Sequence, residues 1–353
     1  METLASQPVR QPVWILEYET KDISVAIAPY VLQVIYIDNL AGESDELEIN
    51  IEDRDHRWKN TWAPAKGDRI RLTIGYRGET MLPCGDFQVD EIEYNGPPDT
   101  VSIRCLAAGV TESLRTKNSQ AFEGMTLRKI AERIAAGHGL TVSGTVPEIR
   151  VERVTQNRET DLAFLKRLAL AYGYVFSVRG TQLVWHEQER LDQADAVAVV
   201  RRTGLAGSYT LRTKSSQVYR GCQVSYFDPK KKKLITHTFK AAGITTGDVL
   251  KLTERCESKA QAEIKAKAAL RNANGRQVEG TLPLQGDQRL VAGLNVTLEG
   301  WGVLDDTFQV LKSRHVMERG GGYRTEIEVS TTSAAKAGMK NLRNEKKFTR
   351  GKP

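Results

Sequence analysis

The chain has 353 residues, 40% of them hydrophobic and 27% charged, which is the balance of a globular protein. Its length is too great for one ordinary core and predicts two to four domains. No run approaches the roughly 20 apolar residues that a membrane-spanning helix needs, and the opening residues, METLASQPVRQP, lack the apolar core of a signal peptide. We therefore expect no membrane anchoring, and synthesis in the cytoplasm without export by the usual signal.

The formal net charge of +7 is unevenly distributed. Residues 333–353 contain seven lysines and arginines against Glu345 alone, so this stretch carries +6 and the rest of the chain only +1. A nucleic-acid-binding domain usually spreads its basic surplus over a folded face. The distribution instead predicts a nearly neutral body followed by a basic tail.

No catalytic motif occurs in the sequence. There is no G-x-S-x-G nucleophile elbow, no phosphate-binding loop and no dinucleotide-binding glycine pattern. The cysteines and histidines are scattered, which argues against a metal site, and the cysteines are expected to be buried reduced thiols; they are Cys84, Cys105, Cys222, Cys256, His56, His138, His186, His237 and His315. His315 is interpreted as a structural or surface histidine in a strand. We expect no catalytic residue, no cofactor-binding residue, no metal ligand and no cofactor.

The first hundred residues show a strand pattern. The runs VLQVIYI, ELEINIED and DRIRLTIGY alternate apolar with polar residues, as half-buried antiparallel strands do. Short strands at regular spacing favour a barrel or a sandwich. The carboxylates of GESDELEINIEDRDHRW are expected to point mostly to solvent rather than to form a catalytic pair. Trp58 and Trp62 are interpreted as packing or protein-contact residues.

A helix–hairpin cassette follows. GMTLRKIAERIAAGHG has helical spacing, with Thr126 as a candidate N-cap. In ETDLAFLKRLALAYGYVFSVRGTQLVW, Thr160 or Asp161 can cap a second helix, Gly173 ends it, and two strands turn at residues 179–181. Lys166, Arg167 and Arg179 are expected to face partners or water. The cassette is predicted either to help assembly or simply to stabilise the fold.

The strand pattern returns after residue 200 and contains an internal echo. KGDRIRLTIGY…GDFQVDEIE and AGLNVTLEGWG…DTFQVLKSR share a leading glycine, an alternating strand, a closing glycine and Phe-Gln-Val. Between them, SKAQAEIKAKAALRN predicts a helix with a capping box at Ser258 and Gln261. Two copies of the strand pattern in the same order support a duplicated β-domain.

These segments resemble the late control protein D family of contractile phage tails, the baseplate hub, from about Trp14 to Thr331. The cassette at 161–185 is the most specific part of the likeness, and the hub part of type VI secretion spike proteins is similar. The resemblance implies a homotrimer that forms a pseudo-sixfold ring joining the sixfold tail tube to the threefold central spike. It implies as partners the tail tube protein, the trimeric central spike protein and other baseplate proteins, with DNA only as cargo through the channel. The implied location is the virion baseplate or a tail-like particle, assembled in the bacterial host cytoplasm.

The expected fold is α+β, mainly β, with two similar tube-like β-barrel domains and a small α/β helix-hairpin domain. The expected boundaries are 1–113 for the first barrel, 114–198 for the α/β domain, 199–240 with 276–332 for the second barrel, 241–275 for a helical insertion and 333–353 for the basic tail. Two alternatives to a structural, non-enzymatic hub are a tail-associated peptidoglycan hydrolase, which needs paired carboxylates or a metal, and a basic nucleic-acid-binding protein.

Overall fold

The computed structural model describes residues 10–40, 43–109, 114, 116–214, 219–228, 232–241, 247–252, 256–275 and 277–332. Strands dominate these residues, and helices are fewer. The fold is therefore α+β and mainly β, as expected. The basic tail at 333–353 lies outside the described residues. Within the described residues no helix combines the length and apolarity that a membrane span requires.

Thirteen strands form one large sheet. The strands from the first part of the chain are β1 (Pro12–Tyr18), β2 (Lys21–Asp22), β3 (Val31–Asn39), β4 (Glu46–Glu52), β5 (Arg69–Tyr76), β6 (Leu82–Asn95) and β7 (Thr100–Ala107). The strands from the last part are β13 (Ala196–Arg201), β14 (Thr210–Thr213), β18 (Val278–Gln285), β19 (Asn295–Glu299), β20 (Thr307–Glu318) and β21 (Gly322–Thr331). The hydrogen-bonded order is β14-β18-β21-β20-β3-β4-β7-β6-β5-β1-β2, with β19 pairing both β20 and β13.

The segment 117–193, which contains the predicted helix–hairpin and is called the cassette from here on, lies between these two groups along the chain and forms sheets of its own. Its elements are β8 (Lys117–Thr126), α2 (Leu127–Gly137), β9 (Thr141–Gly144), β10 (Arg150–Thr160), α3 (Asp161–Ala171), β11 (Tyr174–Arg179), β12 (Gln182–Glu187) and α4 (Gln188–Gln193). A short helix, α1 (Ser24–Ile27), precedes β3. Strands β8 and β10 pair with each other, and β9, β12 and β11 make a three-stranded sheet.

Local sequence explains the ends of the cassette helices. The Thr126 Oγ1 accepts the Lys129 N–H at 3.2 Å, and the Thr160 Oγ1 accepts the Ala163 N–H at 3.1 Å, which satisfies donors that a helix N-terminus otherwise leaves unpaired. Gly173 follows α3 with φ of +81°, a left-handed conformation that favours glycine. The predicted caps and the predicted hairpin are confirmed.

A third unit lies between β14 and β18. Strands β15 (Tyr219–Asp228), β16 (Lys233–Lys240) and β17 (Asp248–Leu252) form a three-stranded sheet of their own, and α5 (Lys259–Gly275) buries alanines and Leu270 against it. One half of the predicted capping box is present, since Ser258 Oγ accepts the Gln261 N–H at 3.2 Å. The Gln261 side chain does not complete the box at Ser258; its Oε1 accepts the N–H of the preceding residue, Glu257, at 2.6 Å. The separate sheet of β15, β16 and β17 differs from the expected grouping. That grouping placed residues 199–240 with the second barrel and only 241–275 in an insertion.

Four hydrophobic cores match these layers. One fills the first group of strands around Leu16, Leu72 and Phe87. Another fills the last group around Val296 and Phe308. The cassette and the β15–β17 sheet each have a core of their own. The cores also share residues across the groups, since Met317 and Tyr323 of the last group belong to the first core and Ile264 of α5 packs against the cassette core.

Candidate assembly interface

The large sheet contains the same arrangement of six strands twice. The first set runs β1-β5-β6-β7-β4-β3 across the sheet, and the second runs β13-β19-β20-β21-β18-β14. The strands of the two sets also follow one another in the same order along the chain. In that order, the first set is β1, β3, β4, β5, β6 and β7, and the second is β13, β14, β18, β19, β20 and β21. A shared order both in space and along the chain supports internal repetition.

The two sets agree in their backbone hydrogen bonds. Gly67 donates its N–H to the Val89 carbonyl at 2.8 Å, and Gly293 donates its N–H to the Val310 carbonyl at 2.8 Å. Both glycines are left-handed, with φ of +90° and +93°, a conformation that favours glycine. The leading glycine of the sequence echo therefore has one conformation and one partner in both sets.

The Phe-Gln-Val segments occupy equivalent places in the two sets. Phe87 pairs with Ile70, and Phe308 pairs with Val296; in both pairs the strand residue lies three positions after the leading glycine. Phe87 is 1% exposed and Phe308 is 0% exposed. The register of each long strand shifts immediately after its valine, at 89–91 in β6 and 310–312 in β20. The repetition therefore extends to the bulges, which re-aim a strand.

The two sets also differ in two respects. Strand β1 runs antiparallel to β5, whereas β13 runs parallel to β19. The connection between β3 and β4 is short, whereas the unit containing β15–β17 and α5 lies between β14 and β18. Among the described strands, no ladder closes either set into a barrel, so the closed form of the expected barrels is not part of the observed pairing.

One ladder joins the two sets. The first half of β20 pairs with β19 at residues 307–309. Beyond the bulge, residues 312–318 of β20 pair antiparallel with β3, and the Leu40 N–H donates to the Leu311 carbonyl at 3.0 Å. The bulge thus lets β20 pair with β19 before it and with β3 after it. Strand β3 of the first set therefore lies beside β20 of the second set.

A buried polar cluster lies on this junction. His315 is 1% exposed, its Nδ1 is 2.8 Å from the Tyr323 hydroxyl, and its ring stacks on Tyr36 of β3 with centroids 5.8 Å apart. Burial lowers the pKa of His315 to about 4, because the low-dielectric interior disfavours the charged ring. His315 is therefore a neutral structural residue, in agreement with its sequence interpretation.

The cassette is anchored to the junction by one arginine. Arg179, at the end of β11, donates to the carboxylates of Asp38 at 2.6 Å and of Asp45, and its Nη1 lies 3.5 Å from the Tyr36 hydroxyl. Asp38 and Asp45 are 1% and 4% exposed. The expectation that Arg179 faces partners or water holds only in part. Its side chain is 38% exposed, but the hairpin turn also places the guanidinium over two buried carboxylates of the same chain.

A second anchor ties α5 to the same region. Arg271 of α5 makes a two-point contact with Asp192, at 3.0 and 2.5 Å. The Asp192 carboxylate is also bonded by Gln188, whose amide reaches Gln309 of the second Phe-Gln-Val at 2.9 Å. Gln261 of α5 donates to the Tyr172 hydroxyl at 3.0 Å. The cassette, the inserted unit and the second strand set are therefore braced against one another.

The acidic segment around β4 only partly follows its expected alternation. Glu46 is exposed, and Glu48 and Glu52 are half-buried, as a half-buried strand predicts. Asp45 and Asp53 are instead buried, because they lie outside the strand and serve backbone donors: Asp45 accepts the Asn39 N–H, and Asp53 accepts the Trp58 N–H, each at 3.0 Å. These carboxylates hold loops and the arginine anchor.

The anchor predicts a defined pH dependence. Burial raises the pKa of Asp45 from its ordinary 3.8 to about 7, against the opposing effect of Arg179. A raised folded-state pKa contributes stability that is complete below pH 3.8 and is lost as the pH rises through 7. In thermal unfolding between pH 4 and 8, wild type should therefore lose up to about 4 kcal/mol relative to Asp45→Asn. A difference that stays constant or grows with pH would contradict this assignment.

The remaining sequence candidates have structural roles. Trp58 and Trp62 pack edge to face, with ring centroids 5.6 Å apart, and both contact Tyr30. His138 bonds the Asp161 carboxylate at 2.7 Å, which joins the end of α2 to the start of α3. All four cysteines are buried free thiols, as expected. Within the described residues, no group of three or more potential metal ligands is present.

The repeated strand set and the cassette agree with a family comparison. The family model for the phage tail baseplate hub (GPD) matches residues 105–321, which is more than half of the chain. The chain belongs to the phage tail baseplate hub family. This confirms the resemblance drawn from the sequence and places the hub chain in the tail baseplate of a virion or tail-like particle.

Two curated relatives carry the same description. The probable baseplate hub proteins of Escherichia phage 186 and Escherichia phage P2 are each 30% identical to the hub chain over 176 residues, which is 49% of this chain. The alignments cover 44% and 45% of those relatives. The matched part thus spans about half the length of the curated relatives.

Solved structures extend the likeness over most of the hub chain. A tail protein from Neisseria meningitidis has a TM-score of 0.67 at 12% identity and covers 93% of this chain and 99% of its own. The 43 kDa tail protein of prophage MuSo2 from Shewanella oneidensis has a TM-score of 0.69 at 14% identity, covering 92% and 99%. A type VI secretion component from Escherichia coli, with similarity to T4 tail proteins, has a TM-score of 0.54 at 12% identity, covering 85% and 73%. These likenesses establish a common fold.

Proposed function

We propose that three copies of this hub chain form a closed ring of six similar units that joins the sixfold tail tube to the threefold central spike. The observation that carries the proposal is the repetition of six strands in one order, with the same glycine hydrogen bonds, the same Phe-Gln-Val register and the same bulge. Three chains with two such units present six similar surfaces while retaining threefold symmetry.

Each unit is proposed to act as one tube-like β-barrel domain of the ring. In this assignment residues 1–113 form the first unit and residues 199–214 with 277–332 form the second, with 114–198 as the α/β domain and 333–353 as a basic tail. The insertion is the whole unit of β15, β16, β17 and α5 rather than 241–275 alone, because among the described strands β15 pairs with β16 and β17 and not with the second strand set. The separate cores around Phe87 and Phe308 support two units. The ladder between β3 and β20 would fix their relative angle, which a ring must repeat at every contact.

The proposed partners follow from this geometry and from the family. The face of the ring that presents six similar surfaces would bind the tail tube protein. The face with threefold symmetry would bind the trimeric central spike protein and other baseplate proteins. DNA would be present only as cargo that passes through the channel. The cassette occurs once in each chain, after the first strand set, so only one of the two units carries it. It would therefore mark every second unit and supply the threefold character. The proposed role is structural and needs no catalysis.

Light scattering tests this assembly state. Purified hub, alone or mixed with the spike protein of the same particle, should give a hub mass of three times 39.3 kDa, and electron-microscopic class averages should show a ring with six lobes. A hub that stays monomeric under both conditions, or that assembles as a dimer or a hexamer of chains, would contradict the proposal.

A further inference from the structure

Half of the outer edge of β6 has no strand beside it. Strand β5 pairs with β6 only at residues 82–88, and no other described strand pairs with that side of residues 91–95. The edge includes Glu91, Glu93 and Tyr94, and Tyr94 is 46% exposed. In the second set, the equivalent edge of β20 is covered by β3 along residues 312–318.

Strand β14 has a complementary free edge. It pairs on one side with β18 at residues 210–213, and no described strand pairs with its other side. By its position next to β18, β14 corresponds to β3, which pairs with β4 on one side and β20 on the other. Unpaired edges of this kind template pairing with another chain.

We infer that β14 of one copy pairs antiparallel with residues 91–95 of β6 in the next copy, so that the large sheet continues from chain to chain. This rests on the ring proposed above and specifies its contact between copies. Pairing of the same two edges within one chain would close eight strands on themselves, and the described ladders do not contain that pairing. The occupant is therefore a second copy of this chain.

The junction inside the chain predicts the register of the contact between copies. Phe308 corresponds to Phe87, and Ile37 corresponds to Arg212 because both lie opposite equivalent residues of β4 and β18. The observed pair Arg314–Ile37 then translates into Glu93 opposite Arg212. The other translated pairs, each between one copy and the next, are Glu91–Lys214, Ile92–Thr213, Tyr94–Leu211 and Asn95–Thr210.

Charge complementarity supports this register. The translation uses backbone pairing alone, yet it places Glu93 opposite Arg212 of β14 and Glu91 opposite Lys214, the residue that follows β14. Within its own chain, Arg104 already contacts Glu91 at 3.0 Å and Glu93 at 3.9 Å, and Lys214 pairs with Glu279, so the contact between copies would add to these pairs or exchange with them. Opposite charges that lie directly across a ladder stabilise it. A shift by one residue would move every side chain of β14 to the other face of the sheet and would leave both acidic residues without these partners.

Cysteine cross-linking tests the register directly. Glu93→Cys and Arg212→Cys are exposed substitutions, and the four native cysteines are buried. Under mild oxidation of the assembled particle, the variant carrying both substitutions should form disulfides between chains up to a three-chain species. Glu93→Cys combined with Thr213→Cys is the matched control, because it is one residue out of register and should cross-link at least about tenfold less, since opposed residues alone meet disulfide geometry.

A mass measurement before oxidation separates this inference from the proposed function. A three-chain particle without cross-links at 93 and 212, or with equal cross-linking in the control, overturns the strand contact and leaves the ring. Absence of any three-chain particle in the unoxidised, unsubstituted hub overturns the ring and the strand contact together. Mixing the two single variants should give cross-linked pairs of chains and no larger species, because each chain then carries only one of the two edges as cysteine.

Discussion

Replacement of Arg179 by alanine is expected to destabilise the chain by up to about 3–5 kcal/mol, because it leaves buried carboxylates without a partner; the 38% exposure of the Arg179 side chain screens the pair and makes this an upper value. Asp38 and Asp45 are buried beneath the guanidinium, and without it both carboxylates lose their cation. Asp45, whose pKa burial already raises to about 7, must then remain charged without a partner or take up a proton, so the loss should be greater at pH 8 than at pH 5. Thermal or urea unfolding at both pH values measures it.

Two further variants control the interpretation of Arg179→Ala. Arg167→Ala removes a solvent-exposed arginine that pairs with Glu159 at 2.5 Å, and such surface pairs contribute about 0–1 kcal/mol. Asp38→Asn with Asp45→Asn in the Arg179→Ala background removes both unpaired charges and should restore part of the stability. An Arg179→Ala loss no larger than that of Arg167→Ala would refute the role of Arg179 as the cassette anchor.

Phe87→Ala and Phe308→Ala should each cost about 3–5 kcal/mol, because each removes a large side chain from a filled core and leaves a cavity. Both rings are almost fully buried, and each lies opposite the residue three positions after its set's leading glycine. If the two sets are equivalent units, the two losses should be similar. Urea unfolding monitored by circular dichroism gives both values.

Val303→Ala is the matched control for the two phenylalanines, since Val303 is apolar and 63% exposed, and its loss should stay within about 0.5 kcal/mol of wild type. A large loss at one phenylalanine together with a loss below about 1 kcal/mol at the other would mean that the Phe-Gln-Val segments do not have equivalent packing roles.

Local features of the fold were predictable from the sequence. Helix caps at Thr126, Thr160 and Ser258 follow from short side chains that satisfy the N–H groups of a first helical turn, and all three are present. The echo around Phe-Gln-Val was readable because the same features, a glycine, an alternating strand, a second glycine and Phe-Gln-Val, recur in the same order. Family membership was also accessible, since it depends on the same local patterns.

Long-range pairing was not predictable in the same way. A period of two residues tells which side chains share a face, but not which strand lies beside which, so the separate β15–β17 sheet and the parallel pairing of β13 with β19 could not be inferred. Arg179 and Asp38 are far apart along the chain, and neither has a local signature of burial. Burial of Asp45 depends on the loop that it closes rather than on the alternation of β4.

The central claim is that one chain uses the same strand set twice, so that three chains make a ring of six similar units. An electron cryomicroscopy reconstruction of the hub particle, calculated without imposed symmetry, tests it most directly. The account predicts three chains whose segments 12–107 and 196–332 alternate at one radius around a common axis, with the cassette beside every second unit. Segments at different radii, or a particle in which only one of the two strand sets surrounds the axis, would contradict it.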